Sequence, residues 1–266
     1  MKKFALALAL GTGLTVTGIA SPARADTIQS LAPTSLSAST FNSLFQPISS
    51  SPEMSSPFTY LGLAPNVSGT IESQVFQGTG AYAGLYAYAY QVDVNKTTDS
   101  SGNPVNFQSA SFKFDATPVG SDLTNLGHTS YVYTVTNGTV GGLSLPTAAP
   151  GQSILSPASL NWEPNTSGGS ILASFVNSAT GVPALNAGGN SATFILLSDS
   201  PPSQQFVNVQ SPNPVDPTSL TSVYAPTGGT PQPVPIPEPA TLLGWVGALG
   251  IAAAVRRVRK SRPAAK

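Results

Sequence analysis

Cysteine is absent from this 266-residue chain, which excludes a disulfide framework and any thiolate metal centre. Stability has to come from packing. Charge is nearly as scarce, at 8% of residues against about 25% in ordinary soluble domains. Histidine occurs once, as His128, which is too few for an imidazole metal site. A Gly-x-Ser-x-Gly elbow, a phosphate-cradling glycine loop and a dinucleotide fingerprint are all missing. No cofactor is implied. What the chain has in quantity is backbone punctuation, with 25 Gly and 25 Pro, so one modest core is the ceiling.

The net charge of zero conceals a strong segregation. Lys2, Lys3 and Arg24 lie at the start, and Arg256, Arg257, Arg259, Lys260, Arg262 and Lys266 lie in the last eleven residues. Only Lys96 and Lys113 remain for the stretch from Asp26 to Pro237, which holds ten acids and carries a formal charge of −8. An acidic, arginine-free body is a poor partner for phosphate backbones, so nucleic acid is excluded.

Both ends read as addresses. Lys2 and Lys3 precede an uncharged run from Phe4 to Ala20, and Ala23, Arg24 and Ala25 form a small-x-small site before Asp26. This is the pattern of a secretory signal peptide over residues 1–25, removed by signal peptidase. At the other end, Ala240 to Val255 is a 16-residue uncharged run followed by the basic tail 256–266. As a helix it rises roughly 24 Å, short of a hydrocarbon core of about 30 Å. Snorkelling arginines make up the difference, and the tail holds the C-terminus in the cytoplasm with the body outside.

Directly before that run stand Pro237, Glu238 and Pro239. Pro-Glu-Pro, a short apolar helix and an Arg-rich terminus, in that order, closely resemble the PEP-CTERM sorting signal of exported bacterial proteins, whose C-terminal motif is also labelled as that of ice-binding proteins. The resemblance covers about thirty residues and implies recognition by an exosortase, a membrane-embedded transpeptidase or protease of species that make exopolysaccharide. It implies a transient anchor in the cytoplasmic membrane, then release to the cell surface or extracellular matrix. It implies nothing about the body, and no fixed-period Thr array of the kind ice binding needs is present.

Between the two addresses the chain divides by composition. Residues 26–65 are a Ser/Thr/Pro-rich lead without sustained period, expected to be mostly irregular with one edge strand at most. Residues 66–210 carry seven strand signals: Gly69–Phe76, Leu85–Val94, Val105–Phe114, Thr129–Asn137, Ser170–Asn177, Ala192–Ser198 and Gln205–Val209. With no helical period between them, they predict an all-β body, a single antiparallel β-sandwich or jelly roll of about seven or more strands. Residues 211–236 are a Pro-rich stalk, with nine prolines between Ser211 and Pro239. Residues 237–266 are the sorting signal, with its transmembrane helix over 240–255.

Period-2 alternation places Tyr86, Tyr88, Tyr90, Val92 and Val94 on one face and Leu85, Ala87, Ala89, Gln91 and Asp93 on the other. Tyr131, Tyr133 and Val135 repeat the idea, so the two segments are expected to pair as neighbours. Phe194 to Leu197 is continuously apolar and is expected centrally, covered on both sides. The tyrosine row admits two readings: a core face, favoured because it runs on into two valines, and a glycan-stacking face at Tyr86, Tyr88 and Tyr90.

Glu72, Asp93, Asp99, Asp115, Asp122 and Glu163 are the carboxylates available for a glycosidase pair, which has to converge across a cleft. His128 is expected in an exposed loop. Asp93, Asn95, Asp99 and Asn103 offer oxygen ligands for a cation, but their spacing departs from a calcium loop, and a hairpin turn with Gly102 at positive φ is simpler. The expectation is therefore a non-enzymatic exported envelope or matrix protein that meets signal peptidase, exosortase and the membrane, with exopolysaccharide as a further partner. The alternative is a carbohydrate-binding or adhesive module, and an exported hydrolase is a residual third reading.

Overall fold

The strand that carries the tyrosine row is buried along almost its whole length, with Tyr88, Tyr90, Val92 and Val94 in one apolar cluster and Ala87 and Ala89 in another, and the rest of the fold is arranged around it. The computed structural model describes residues 27–60, 67–98, 102, 104–144, 154–165, 168–175, 185–211 and 219–227. The first half of these holds β1 (Gln29–Ser30), β2 (Pro33–Ser35), α1 (Ala38–Leu44), β3 (Phe45–Pro47), β4 (Met54–Phe58), β5 (Gly69–Gly78), β6 (Tyr86–Val94), β7 (Ser109–Lys113) and β8 (Val132–Val135). The second half holds β9 (Thr139–Val140), β10 (Leu143–Ser144), β11 (Ile154–Leu155), β12 (Ser159–Asn165), β13 (Gly168–Ser174), β14 (Asn190–Ser191), β15 (Thr193–Ser198), β16 (Pro202–Gln210) and β17 (Ser219–Pro226). The described residues are thus mostly β, as the absence of a helical period requires.

Two large sheets form. The first has the order β1-β12-β13-β7-β16-β17 and is antiparallel throughout. The second runs β11-β14-β6-β15-β8-β2, with β5 on the other side of β6 and β3 and β4 both paired to β5. Their facing sides share one core. Tyr88, Tyr90, Val92 and Val94 of β6, with Phe194 and Leu196 of β15, lie in one cluster with Phe112 of β7, Leu160 and Trp162 of β12, Ile171 of β13 and Val207 of β16. Rings interlock across the gap: Tyr90 lies 4.6 Å from Phe112 and Phe112 5.7 Å from Phe194, centroid to centroid.

The second sheet is buried on its other face as well. Ala87, Ala89, Ile195, Leu197, Tyr133 and Val135 form a separate cluster there with Phe41, Phe45, Val140 and Leu143. The cover comes from α1 and the β9–β10 hairpin. Ser37 caps α1 by accepting from the Thr40 amide at 3.1 Å, and Phe41 stacks on Phe45 and meets the edge of Phe76. The expectation that Phe194–Leu197 is covered on both sides matches this arrangement, since every residue of β15 is buried.

Several expectations are corrected. The lead is no irregular flank: within 26–65 it supplies β1 to the first sheet, β2 to β8, and β3 and β4 to β5, together with α1. Its strands are two to five residues long, too short for a period to show. Nor is the whole Pro-rich segment a stalk, because β17 pairs along β16 from Pro202–Pro226 to Val209–Ser219. Averaging nine prolines over the window hides the proline-free run from Thr218 to Ala225. β6 and β8 are not neighbours, since β15 stands between them with Phe194 opposite both Tyr90 and Thr134. The body is also not purely antiparallel: β2 with β8 and β11 with β14 are short parallel pairs.

β12, which had no strand signal, forms a hairpin with β13 by alternating Leu160 and Trp162 inward against Asn161 and Glu163. Pro164 is tolerated because β1 reaches only Asn161 and Trp162 on that edge. Among the described residues no helix is long and apolar enough to cross a membrane. The signal peptide, the residues Pro237–Pro239, the run 240–255 and the basic tail lie outside the described residues.

Candidate functional site

The tyrosine row leads from the core to an opening. Tyr90 and Tyr88 are fully buried, whereas Tyr86, two residues earlier on the same face, is only half-buried. Tyr90 donates from its hydroxyl to the Tyr224 carbonyl at 2.7 Å, and Tyr88 to the Ser200 carbonyl at 2.6 Å. Burial pushes both phenols well above their ordinary range, so they remain neutral donors. A glycan-stacking face at Tyr88 and Tyr90 is therefore corrected: a ring enclosed between two sheets has no free face to offer.

Tyr86, the first residue of β6, reaches the surface. There it lines a cleft of about 490 Å³ with Ile48, Gln77, Pro201, Pro202 and Gln204, among others, and every lining residue is neutral. Gln77 is directly opposite Tyr86 in the β5–β6 register, which puts an exposed amide beside the ring. The walls are held by backbone bonds. The Ile48 amide donates to Val75 O at 3.1 Å, Ser51 N to Ile48 O at 3.0 Å, and Thr227 N to Pro201 O at 3.0 Å. Tyr88 secures the same wall through Ser200. Ser73 fixes β17 by accepting from the Tyr224 amide at 3.2 Å.

A second cleft, of about 470 Å³, lies beyond the far end of β6 and is lined by Lys96, Thr97, Thr98, Pro104, Asn106 and Asn186. It adjoins the loop considered for a cation. Gly102 there has φ +82°, as the hairpin-turn reading requires, and Asn95 donates to Val67 O at 2.9 Å. Asp99 and Asn103 lie outside the described residues. Among the described residues, no three His, Asp or Glu side chains are grouped to hold a metal ion.

The candidate acids are scattered by the topology. Glu72 and Asp93 come together diagonally across β5 and β6, on the face away from the tyrosine row. Burial raises the Glu72 carboxyl, and the negative charges of Glu53 and Asp93 raise it further; burial alone raises Asp93. Gln91, directly opposite Glu72, is buried and donates to Thr193 Oγ1 at 2.6 Å. Asp115 is buried in the other sheet's turn and pairs with Lys113 at 2.8 Å. Glu163 faces out from β12.

Asp122 organises a loop. Its carboxylate accepts from the Thr124, Leu126 and Gly127 amides and the Thr124 hydroxyl. Desolvation, the largest single influence, raises it, but these four bonds together outweigh it and hold the carboxyl below the ordinary carboxylate range. His128 follows in that loop and is exposed, as expected. Comparison with protein-family models, curated proteins and solved structures returns no match for this chain.

Sequence reasoning singled out Tyr86 but not its companions. Gln77 and the run Pro201, Pro202 and Gln204 come from two stretches of chain more than a hundred positions apart, and nothing local marks them as one site. The turn signal at Ser200–Pro202 was the available clue, since two prolines between strands hold a loop open.

Proposed function

We propose that this is a non-enzymatic exported protein of the bacterial envelope or extracellular matrix, routed by an N-terminal signal peptide and delivered to the surface through a PEP-CTERM-type signal. The observation that carries this reading is the ordered triplet of Pro237-Glu238-Pro239, the uncharged run 240–255 and the basic tail 256–266. A run barely long enough to span suits a transient anchor handled by an exosortase in the cytoplasmic membrane. The body suits display. It is a two-sheet sandwich with one core between the sheets and a second under α1.

Intact mass spectrometry of the protein recovered from the cell surface tests the reading. The mature form should begin at Asp26, after Ala23 and Ala25, and should lack the segment from about Ala240 onward. Surface protein that retains Arg256 to Lys266 would make it a permanent single-span membrane protein and remove exosortase from its partners. Protein retained in the cytoplasm with Met1 intact would remove export altogether.

A carbohydrate-binding or adhesive module is the second reading. One observation favours it: Tyr86 stands in a neutral cleft at the open end of the sandwich, beside the exposed Gln77 amide.

A further inference from the structure

The row Tyr86, Tyr88, Tyr90 divides its work by depth. The two inner rings pack and hold the far wall through their hydroxyls, and the outer ring is only half-buried and lines the cleft. Pro201 and Pro202 give that wall a rigid apolar surface, because a pyrrolidine ring fixes the local backbone and presents only carbon. Gln77 and Gln204 are exposed and bring an amide oxygen and an NH2 group each, so both donors and acceptors face the cleft. Ser50, Ser51 and Ser203 add hydroxyls.

A site with a half-buried aromatic ring, amides and hydroxyls, and no charge matches a ligand with apolar C–H faces and a dense array of neutral hydroxyls. Its volume of about 490 Å³ falls inside the range of about 300–1,000 Å³ usual for ligand clefts. An anionic ligand finds no cation there, and the body's acidic charge disfavours it further. Preorganisation supports binding: the walls are pinned by the Tyr88, Tyr90, Ile48 and Thr227 bonds before any ligand arrives.

We infer that the cleft bounded by Tyr86, Gln77, Pro201, Pro202 and Gln204 is a binding site for a short neutral oligosaccharide segment, with a sugar ring stacked on Tyr86 and its hydroxyls bonded to the two glutamines. This rests on the carbohydrate-binding reading above and names its site and ligand class.

The test uses the full chain in detergent, titrated with soluble β-glucan, galactomannan and dextran, and with alginate as the anionic comparator. At least one neutral glycan should bind, and alginate should not. Tyr86→Ala should weaken that binding about tenfold, Tyr86→Trp should restore it, and Tyr131→Ala, an exposed tyrosine elsewhere, should leave it unchanged. Gln77→Ala and Gln204→Ala, both at exposed positions, should each weaken it several-fold and provide the readout should Tyr86→Ala fail to fold. Neutral-glycan binding unaffected by the Tyr86 and glutamine variants would overturn this cleft as the site while leaving a carbohydrate-binding protein. Binding to none of the neutral glycans would overturn both, and preference for alginate would overturn the ligand class.

Discussion

Tyr88 and Tyr86 are two residues apart on one strand and one face, yet a substitution at each is expected to act on different properties. Tyr88 fills the core and ties β6 to the loop at Ser200. Tyr88→Phe should cost about 1 kcal/mol, the net value of one hydrogen bond, and Tyr88→Ala about 3–5 kcal/mol, as aromatic truncations in cores do. Equilibrium denaturation of both variants gives the values. A loss under 0.5 kcal/mol for the alanine variant would mean that the ring is not enclosed. Glu72 makes the opposite case, a group whose ionised form strains the fold. Its pKa is raised by burial, then by Glu53 and Asp93, so the folded state holds the proton more tightly than the unfolded one. Stability from this group is therefore fully present below its unfolded pKa and is lost as pH rises from there through the raised folded one. Glu72→Gln should raise Tm at pH 7, and the gain should vanish towards pH 4, where wild-type Glu72 is protonated in both states. A gain that persisted at pH 4 would show that packing, and not charge, is responsible.

At the level of elements, β17 and the N-terminal segment show how much of this fold is closed by short pieces from outside the strand-rich middle. β17 supplies buried Val223, Tyr224 and Ala225, accepts the Tyr90 hydroxyl at the Tyr224 carbonyl, and lines the Tyr86 cleft. A chain ending at Ser211 should lose about 3 kcal/mol or more relative to one ending at Thr227, which corresponds to a Tm lower by about 6–12 °C. Differential scanning calorimetry of the two chains distinguishes this from a stalk, whose removal would leave Tm unchanged. The lead is equally structural. α1 is only seven residues long and gains its stability from Phe41 and Phe45 packed over the second sheet, not from helix propensity.

The whole molecule is organised by where charge is allowed. Residues 27–227 hold two lysines against nine carboxylates, a formal charge of −7, while both ends are basic. A form ending at Thr227 should bind an anion exchanger at pH 7.5 and produce no mobility shift with duplex DNA even at 50 mM salt. A shift that weakened with added salt would signal phosphate contacts and overturn the exclusion of nucleic acid.

Some of this was legible without coordinates, for a definite reason. Signals carried by adjacent residues, such as the alternation from Tyr86 to Val94, the apolar run from Phe194 to Leu197 and the positive φ of Gly102, depend only on local backbone geometry, which sequence spacing encodes. The all-β class followed from them. The division of the tyrosine row did not, because Tyr86, Tyr88 and Tyr90 are locally alike, and only what packs over each ring leaves one of them half-buried and the other two enclosed. The same holds for β17, whose burial comes from pairing with β16 across a loop, and for β15, which stands between β6 and β8 because its continuously apolar side chains need cover on both faces. Sequence alone determined which residues alternate, where charge is excluded and what the two ends resemble. Tertiary structure decided which strands neighbour one another and hence where a cleft opens, because those depend on contacts between residues a hundred or more positions apart, as when Tyr88 meets Ser200.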